Sequence, residues 1–322
     1  MNGDPERPHG GISAQDVARE AERLGFLACG IATLEPSRRQ DALDAWLERG
    51  YAGTMRYLHR QARKRKEPAV IVAGAKVAVV VLENYLPPSA AAETGVKIAK
   101  YARGSDYHRV LRGRLGLLAD WLRQHGAAIA HGWADDGPVP ERELAQRAGL
   151  GWIGKNTMLI RPGAGSFFFI GAVFTDLSLE PSTPFASDHC GTCSRCLDAC
   201  PTGAILEPRV LDATRCISYL TIESRAPIPE ALVPRLEGWA FGCDICNDVC
   251  PWNERFATQT AITDYHDRGE PERGDADVFE GMDEAEFARR FGDTPLERPE
   301  LQRMRRNWRA AWQSVDRSPQ IG

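Results

Sequence analysis

Residues 190–201, CGTCSRCLDACP, place four cysteines in the pattern Cys-x-x-Cys-x-x-Cys-x-x-x-Cys-Pro. In bacterial two-cluster ferredoxins this run gives three thiolates to one [4Fe-4S] cluster and sends the fourth across to the other cluster. Eight of the nine cysteines of the chain lie between Cys190 and Cys250. The stretch therefore predicts a ferredoxin-like module that carries electrons.

A second cysteine set, at residues 243–251, repeats the last three positions of the run and again ends in Cys-Pro. Its missing first ligand can be supplied from upstream by Cys216. The cross-over rule then gives each cluster four thiolates, with none missing and none spare. One cluster would be bound by Cys190, Cys193, Cys196 and Cys250, and the other by Cys200, Cys216, Cys243 and Cys246.

Two other uses of the cysteines compete with this interpretation. A disulfide framework suits a small secreted domain, but the chain has 322 residues, and residues 1–10 lack the basic start and apolar stretch of a signal peptide. Paired structural zinc sites could use four cysteines each, yet zinc ribbons favour two separated Cys-x-x-Cys pairs. The ninth cysteine, Cys29, lies in a predicted strand and is expected to be a small buried hydrophobic residue.

The composition is that of an ordinary soluble protein, with 43% hydrophobic residues, 26% charged residues and a net charge of -4. The longest apolar stretch, 69–82, contains Gly74 and Lys76 and is too short to span a bilayer. We therefore expect a cytoplasmic protein without a membrane anchor. Because the overall charge is slightly acidic, a nucleic-acid partner would need a local basic patch, for which residues 60–66 and 303–309 are candidates.

The chain before the cysteines alternates between helical and strand periodicity, which predicts an α/β (α+β) sandwich of helices on a sheet. The predicted helices are 13–24, 106–125 and 141–148, and the predicted strands are 26–32, 77–82, 127–133 and 166–174. After a polar loop or linker at 257–274, two short C-terminal helices are predicted at 282–291 and 299–315. We divide the chain into an α/β domain (1–187), the ferredoxin-like module (188–256) and a linker with a C-terminal helical segment (257–322).

Two adjacent carboxylates, Asp135 and Asp136, follow the strand predicted at 127–133 and precede a helix. Ligands gather at the carboxyl ends of strands in α/β sheets. A carboxylic acid in an apolar site can retain its proton and donate it. The sequence Asp-Asp-Gly-Pro is also favourable in turns, so a turn or capping role stays open.

The glycine-rich stretch 147–157, RAGLGWIGKNT, follows this segment. Its glycines permit a ligand to approach the backbone, and Lys155 offers a charge for a phosphate or carboxylate. The spacing matches neither the P-loop nor the dinucleotide fingerprint. One interpretation is a flat, largely apolar cofactor lying against this backbone and the strand at 167–170. The other is plain packing of a helix and a strand.

Taken together, these motifs resemble the epoxyqueuosine reductase family, over a region from near the N-terminus to about Trp252. The matching stretches are 135–138 (DDGP), 141–142 (ER), 147–156 (RAGLGWIGKN), 190–201, 215–221 (RCISYLT) and 242–246 (GCDIC). Members of that family use a cobalamin and two [4Fe-4S] clusters to reduce epoxyqueuosine to queuosine at the wobble position of tRNA. The resemblance therefore implies that residues 1–187 bind cobalamin and substrate.

The resemblance also implies roles for individual residues. Asp135 matches the acidic residue of the family's active site and is favoured over Asp136 as the proton donor. Residues 103–108, RGSDYH, match a family segment to which physical reasoning alone gives no role. The implied cobalamin contacts are Arg65, Ala99, Asp135, Leu159, Ile170, Ser218 and Asp244.

The mechanism implied by the resemblance begins with an external donor, such as a flavodoxin or ferredoxin system. Electrons would enter at the more exposed cluster and pass through the second cluster to cobalt. The second cluster should lie nearer the corrin, because Ser218 and Asp244 adjoin its ligands. The expected partner is a tRNA anticodon stem-loop, whose phosphates would contact the basic patches, and the protein is expected to be a monomer without membrane contact.

Two alternatives to this function stay open. The first is a cobalamin and iron-sulfur reductase of a small molecule, similar to reductive dehalogenases. Those enzymes typically carry a twin-arginine export signal, which residues 1–10 lack. The second is a ferredoxin-type electron-transfer protein, which would not need the Asp135 segment or the long α/β region ahead of the clusters.

Overall fold

The computed structural model describes residues 11–88 and 95–316, so the residues examined for an export signal, 1–10, lie outside it. The helices are α1 (Ala14–Arg23), α2 (Gln40–Glu48), α3 (Arg56–Arg60), α4 (Ala62–Lys66), α5 (Tyr107–Gln124), α6 (Glu141–Arg147), α7 (Arg195–Asp198), α8 (Ile217–Ile222), α9 (Ile245–Asp248), α10 (Pro251–Phe256), α11 (Glu284–Phe291) and α12 (Glu300–Asp316). The strands are β1 (Ala28–Thr33), β2 (Val77–Asn84), β3 (Lys97–Ile98), β4 (Ala130–Trp133), β5 (Trp152–Ile153), β6 (Leu159–Ile160), β7 (Phe168–Thr175), β8 (Ile205–Glu207), β9 (Val210–Leu211) and β10 (Trp239–Phe241).

Four strands form one antiparallel sheet in the order β1-β2-β7-β4. The central strand β2 is apolar on both sides, because Val77, Val79 and Val81 belong to one core cluster while its alternate residues belong to another. Helices α1 and α5 cover the first face, and α6 covers the second. The predicted sandwich of helices on a sheet is confirmed. A hydrophobic core lies on each face of this sheet, whose strand β4 leads to Asp135.

Local sequence signals explain where the covering helices begin. Ser13 caps α1 by accepting a hydrogen bond from the backbone N–H of Asp16, whose side chain bonds back to the N–H of Ser13. Asp106 caps α5 in the same manner by accepting from the N–H of His108. The apolar face of α5 repeats at helical spacing and is fully buried, at Leu111, Leu115, Leu118 and Leu122.

The antiparallel order overturns one step of the sequence argument for Asp135. The rule that ligands gather at the carboxyl ends of strands holds for open parallel sheets, so its use here was wrong. Strands β2 and β4 nevertheless run in the same direction, because each pairs antiparallel with β7 between them. Both strands therefore point toward the end of the sheet where β7 begins, and Asp135 follows β4 on this side. We call this end of the sheet the sheet edge.

The three predicted segments of the chain are interleaved in space. Strand β3, from the first segment, pairs in parallel with β10 of the cysteine-rich segment. Helices α11 and α12 confirm the two predicted terminal helices, and α12 packs against β10 through a cluster that includes Phe241, Phe279 and Trp308. The expected linker packs back onto the sheet, since buried Tyr265 donates a hydrogen bond to Glu83. The domain boundaries at 187 and 256 stay a prediction.

No helix in the described parts of the chain is long and apolar enough to cross a lipid bilayer.

Candidate active site and cluster-binding module

Four of the eight predicted cluster ligands surround a single cavity of about 250 Å³. The thiols that line it are those of Cys190, Cys193, Cys196 and Cys250. We call this the outer cluster site, because the loop between its first ligands is exposed to solvent at Gly191, Thr192, Ser194 and Arg195. Cys250 comes from a distant part of the chain, so the structure brings together the four ligands that the cross-over rule groups.

The other four predicted ligands are neighbours of one another and lie outside the exposed ligand loop 191–195, and we call them the inner cluster site. Burial raises the pKa of the Cys246 thiol well above its usual value, and the neighbouring Cys216, Asp244, Cys196 and Cys200 add to the rise. Burial likewise raises the pKa of Cys243, and the neighbouring Cys246 and Cys216 add to it. Burial and the nearby Cys190 also raise the pKa of Cys196, in the outer cluster site, to about 11. The thiols of both sites must lose their protons when iron binds, so cluster assembly releases protons.

The glycine-rich stretch forms a brace for the cluster loops. The hairpin of β5 and β6 places Trp152 so that its indole N–H donates to the Cys190 sulfur at 3.4 Å. Lys155 donates from Nζ to the carbonyl oxygens of Gly191 and Cys193 at 2.7 and 2.9 Å. Asn156 donates to the carbonyl oxygen of Cys246 at 3.2 Å. Three side chains within five residues thus hold both cluster sites.

This brace corrects the interpretation of the stretch as a cradle for a cofactor. Lys155 is committed to two carbonyl oxygens, so the expectation that it binds a phosphate or carboxylate was wrong. The glycines are explained by chain packing: a Cβ on Gly151 would lie 2.2 Å from the carbonyl oxygen of Ile160, and Gly149 has a φ of +73°. Only glycine avoids both problems.

Asp135 stands in a turn directly after β4, and its backbone is in the left-handed region with a φ of 60°. Aspartate tolerates this conformation better than most residues, because its short side chain can bond locally. The Tyr107 hydroxyl donates to Asp135 Oδ2 at 2.6 Å. The Tyr107 ring is fixed in turn by stacking on Phe169, with centroids 4.2 Å apart and planes 9° apart. The family segment 103–108 thereby gains a role that its sequence did not reveal.

Asp136, the second carboxylate, turns away from this contact. It accepts from the N–H of Ala134 and from the guanidinium group of Arg112. Burial alone would raise the pKa of Asp136, but these hydrogen bonds outweigh it and hold the pKa below its usual value. Asp136 is the turn residue that the sequence allowed for, and Asp135 is left as the carboxylate bound by Tyr107.

A third carboxylate beside Asp135 was missed as a site residue. Burial raises the pKa of Glu141 to about 8, and the charge of Asp135 adds to the rise. Glu141 Oε1 is buried without a hydrogen-bond partner in the described structure, and so is Nε of nearby Arg65. The signal in the sequence was its position at the start of α6, immediately after the Asp135 turn.

The residues predicted to contact cobalamin occupy several elements around the sheet edge. Arg65 donates to the carbonyl oxygens of Gly137 and Val139, so it also braces the Asp135 turn. Asp244 is buried and accepts from the N–H of Lys100 at 2.7 Å, next to Ala99. The remaining predicted contacts are Leu159 on β6, Ile170 on β7 and Ser218 on α8. Their role as contacts stays a prediction.

If Cys250 and Cys190 bind the same cluster, removing both should cost no more iron than removing either one. We expect Cys250→Ala, Cys190→Ala and the double variant each to fall from about eight to about four iron atoms per chain, since one of two [4Fe-4S] clusters is lost. Iron and sulfide analysis of anaerobically purified protein measures this.

The ninth cysteine supplies the control. Cys29 lies on β1 and packs against the core on the first face of the sheet, and burial raises its pKa to about 12. Cys29→Ala should keep the full iron content. A double variant that retains almost no iron, while each single variant retains half, would show that Cys190 and Cys250 serve different clusters.

Family models match two parts of the chain. Residues 189–253 match a 4Fe-4S double cluster binding domain. Residues 65–135 match a family described as epoxyqueuosine reductase QueG, DUF1730. The two matches cover the cluster module and the part of the chain that leads to Asp135.

Similar proteins agree with both matches. An epoxyqueuosine reductase of Cyclobacterium marinum is 40% identical over 91% of this chain and 94% of its own length. Another, of Pseudomonas aeruginosa, is 40% identical over 91% of this chain and 83% of its own length.

Solved structures extend the agreement to the fold. A crystal structure of epoxyqueuosine reductase with an epoxyqueuosine-modified tRNA-Tyr stem loop superposes with a TM-score of 0.86 at 28% identity, over 94% of this chain and 81% of that one. An epoxyqueuosine reductase from Bacillus subtilis, with its catalytic aspartate loop swung out of the active site, gives a TM-score of 0.84 at 27% identity over the same shares. The chain described here belongs to the epoxyqueuosine reductase family.

Proposed function

We propose that this chain reduces epoxyqueuosine to queuosine in tRNA, with electrons passing through two [4Fe-4S] clusters to cobalamin and with Asp135 as the proton donor. The observation that carries the proposal is the hydrogen bond that holds Asp135 to Tyr107 at the sheet edge. This hydrogen bond fixes a carboxyl group in a chain in which eight cysteines form two sets of four.

The reaction needs both electrons and protons. Removing the epoxide oxygen as water and leaving an alkene consumes two electrons and two protons. When bound, cobalamin supplies the reduced metal that acts on the epoxide-bearing ring, because such chemistry belongs to the cofactor. The chain itself must bind and orient the cofactor and the substrate, and must deliver protons.

The residues around Asp135 fit a corrin. A corrin is a flat apolar ring with amide groups on its rim, which both donate and accept hydrogen bonds. Glu141 Oε1 and Arg65 Nε are a buried acceptor and a buried donor without partners in the described structure, as such a rim requires. Leu159 and Ile170, predicted contacts on β6 and β7, add apolar surface.

Asp135 and Glu141 have different roles in proton delivery. Tyr107 holds the Asp135 carboxyl group in one orientation, in which it would face the oxygen that the substrate releases. Glu141 keeps its proton at neutral pH, because burial and the charge of Asp135 hold its pKa at about 8. Glu141 therefore holds a proton next to Asp135 at neutral pH.

The exposure of the ligand loop in the outer cluster site supports a direction of electron flow. The loop of the outer cluster site is open to solvent, so an external flavodoxin or ferredoxin can approach it. The inner cluster site adjoins buried Asp244, which binds the backbone next to Ala99. Electrons would thus enter at the outer cluster site and leave from the inner cluster site toward cobalamin.

The tRNA stem-loop would approach over helices α2 to α4. Arg39, Arg56, Arg60 and Lys64 are exposed there, and their side chains have no carboxylate partner among the described residues. The other predicted patch, on α12, is already engaged: Arg303 and Arg306 donate to the carbonyl oxygens of Ile222 and Leu220. We propose that α2 to α4 bind the phosphates of tRNA and that the protein works as a cytoplasmic monomer.

Complementation tests the reaction and the proton donor together. In a strain that lacks its own epoxyqueuosine reductase, we expect the wild-type chain to restore queuosine, measured by mass spectrometry of tRNA nucleosides. Asp135→Asn should leave epoxyqueuosine in the tRNA, because asparagine keeps the left-handed turn but has no acidic proton. Asp136→Asn is the matched control and should restore queuosine.

If the wild-type chain leaves epoxyqueuosine in place, the substrate is not tRNA, and a small-molecule reductase becomes the better hypothesis. If Asp135→Asn restores queuosine as fully as the wild type, Asp135 is not the proton donor.

Tyr107→Phe isolates the hydrogen bond that orients Asp135. The phenylalanine ring keeps the stacking on Phe169, but the donor to Asp135 is lost. A hydrogen bond to a charged group contributes about 1.5–3 kcal/mol, which corresponds to roughly a 10- to 100-fold lower single-turnover rate.

The control is Tyr85→Phe, from the same aromatic cluster, because Tyr85 packs on Phe169 without touching Asp135. It should leave the rate close to that of the wild type. Equal rates for the two variants would contradict the orienting role of Tyr107.

A further inference from the structure

We propose that Trp152 sets the reduction potential of the cluster in the outer cluster site, through the hydrogen bond from its indole N–H to the Cys190 sulfur. The inference rests on the proposed assignment of Cys190, Cys193, Cys196 and Cys250 to one cluster. Trp152 is a positioning residue in this account, since it touches a ligand of the cluster and neither the substrate nor cobalamin.

The indole of Trp152 has one hydrogen-bond donor, and the Cys190 sulfur accepts from it. Its nitrogen can donate but cannot accept, and the N···S distance to Cys190 is 3.4 Å. Trp152 is only 1% exposed, so water does not compete for the N–H. Within the described structure the Cys190 sulfur is the partner of this donor.

Packing prevents the indole from turning away. Trp152 meets Trp252 edge-on at 4.9 Å and stacks against Phe185 at 5.8 Å. Its backbone is paired with Ile160 in the hairpin of β5 and β6. The neighbouring Lys155 fixes the other side of the contact, because it binds the carbonyl oxygens of Gly191 and Cys193 in the ligand loop. Donor and acceptor are therefore both held in place before the cluster changes its charge.

The direction of the effect follows from charge. Reduction adds one negative charge to the cluster and its thiolates, and the positive end of the N–H dipole points at one of those sulfurs. The bond is thus stronger in the reduced state, and more so because the Trp152 indole is shielded from water. Hydrogen bonds to the sulfurs are one of the determinants of iron-sulfur potentials. Trp152 should therefore raise the potential of the outer cluster and make it a better acceptor from the external donor.

Trp152→Phe tests this in the cluster-loaded protein. Phenylalanine keeps an aromatic ring in the pocket and removes the donor. In a redox titration followed by EPR, we expect one of the two clusters to become harder to reduce, with a roughly tenfold smaller reduction equilibrium constant, which is about 59 mV for a one-electron couple. The second cluster should keep its potential.

Trp252→Phe is the matched control. Trp252 lines the same cavity and packs on Trp152, but its indole donates to the carbonyl oxygen of His189 at 3.4 Å. We expect no shift of either potential in this variant. An unchanged titration for Trp152→Phe, or an equal shift in Trp252→Phe, would overturn the inference.

A second measurement covers the case in which Trp152→Phe does not retain its cluster. Protein labelled with ¹⁵N-tryptophan and reduced should show a ¹⁵N hyperfine coupling to one cluster by pulsed EPR, and the coupling should persist in labelled Trp252→Phe. Absence of the coupling in the labelled wild type would overturn the inference. Neither measurement uses tRNA, so a potential shift in a chain without reductase activity would refute the proposed function and leave this inference intact.

Discussion

The structure depends on the convergence of eight thiols, drawn from residues 190–250, on two small sites. Around these thiols the helices and strands are short, and small apolar clusters pack against Cys190, Cys216, Cys243 and Cys250. In such a module, metal ligation adds to limited apolar burial in holding the chain together. The hairpin of β5 and β6 then joins the module to the sheet domain, because Trp152, Lys155 and Asn156 reach both cluster sites.

The joining of the cluster module to the sheet domain also relates the proposed electron path to the chemistry at the sheet edge. The inner cluster site adjoins Asp244 and the backbone near Ala99, and the sheet edge beyond it carries Tyr107 and Asp135. In the proposed function, electrons would pass in this order, from the exposed ligand loop toward the fixed carboxyl group. Tyr107 gives the edge its rigidity, since it is stacked on Phe169 and bonded to Asp135 at once.

Much of the fold could be predicted from local patterns. Ser13 and Asp106 cap the helices that the sequence indicated, and the apolar runs of β2 and β7 give strands close to the predicted ranges. The strand order could not be predicted, because hydrophobic periodicity fixes which face a residue occupies and says nothing about the neighbouring strand. That gap led to a parallel-sheet argument for Asp135 that the antiparallel sheet does not support.

The candidate site, like the fold, could be predicted only in part. The spacing of the cysteines predicted one group of four ligands, and the structure places these four side chains around one cavity, while their binding of one cluster stays a prediction. Side chains whose partners lie far along the chain were misjudged: Lys155 binds the loop near Cys193, and Arg306 of the terminal basic cluster binds the carbonyl oxygen of Leu220. Glu141 was overlooked because its raised pKa comes from its burial and from the proximity of the Asp135 charge. Both arise only when the chain folds.

The account is tested most directly by a single-turnover reaction under anaerobic conditions. Protein with both clusters, with or without bound cobalamin, is reduced chemically and mixed with an anticodon stem-loop that contains epoxyqueuosine, and the nucleosides are analysed by mass spectrometry. The account predicts queuosine only from the protein that carries cobalamin. Equal yields of queuosine with and without cobalamin, or none from the fully loaded protein, would contradict it.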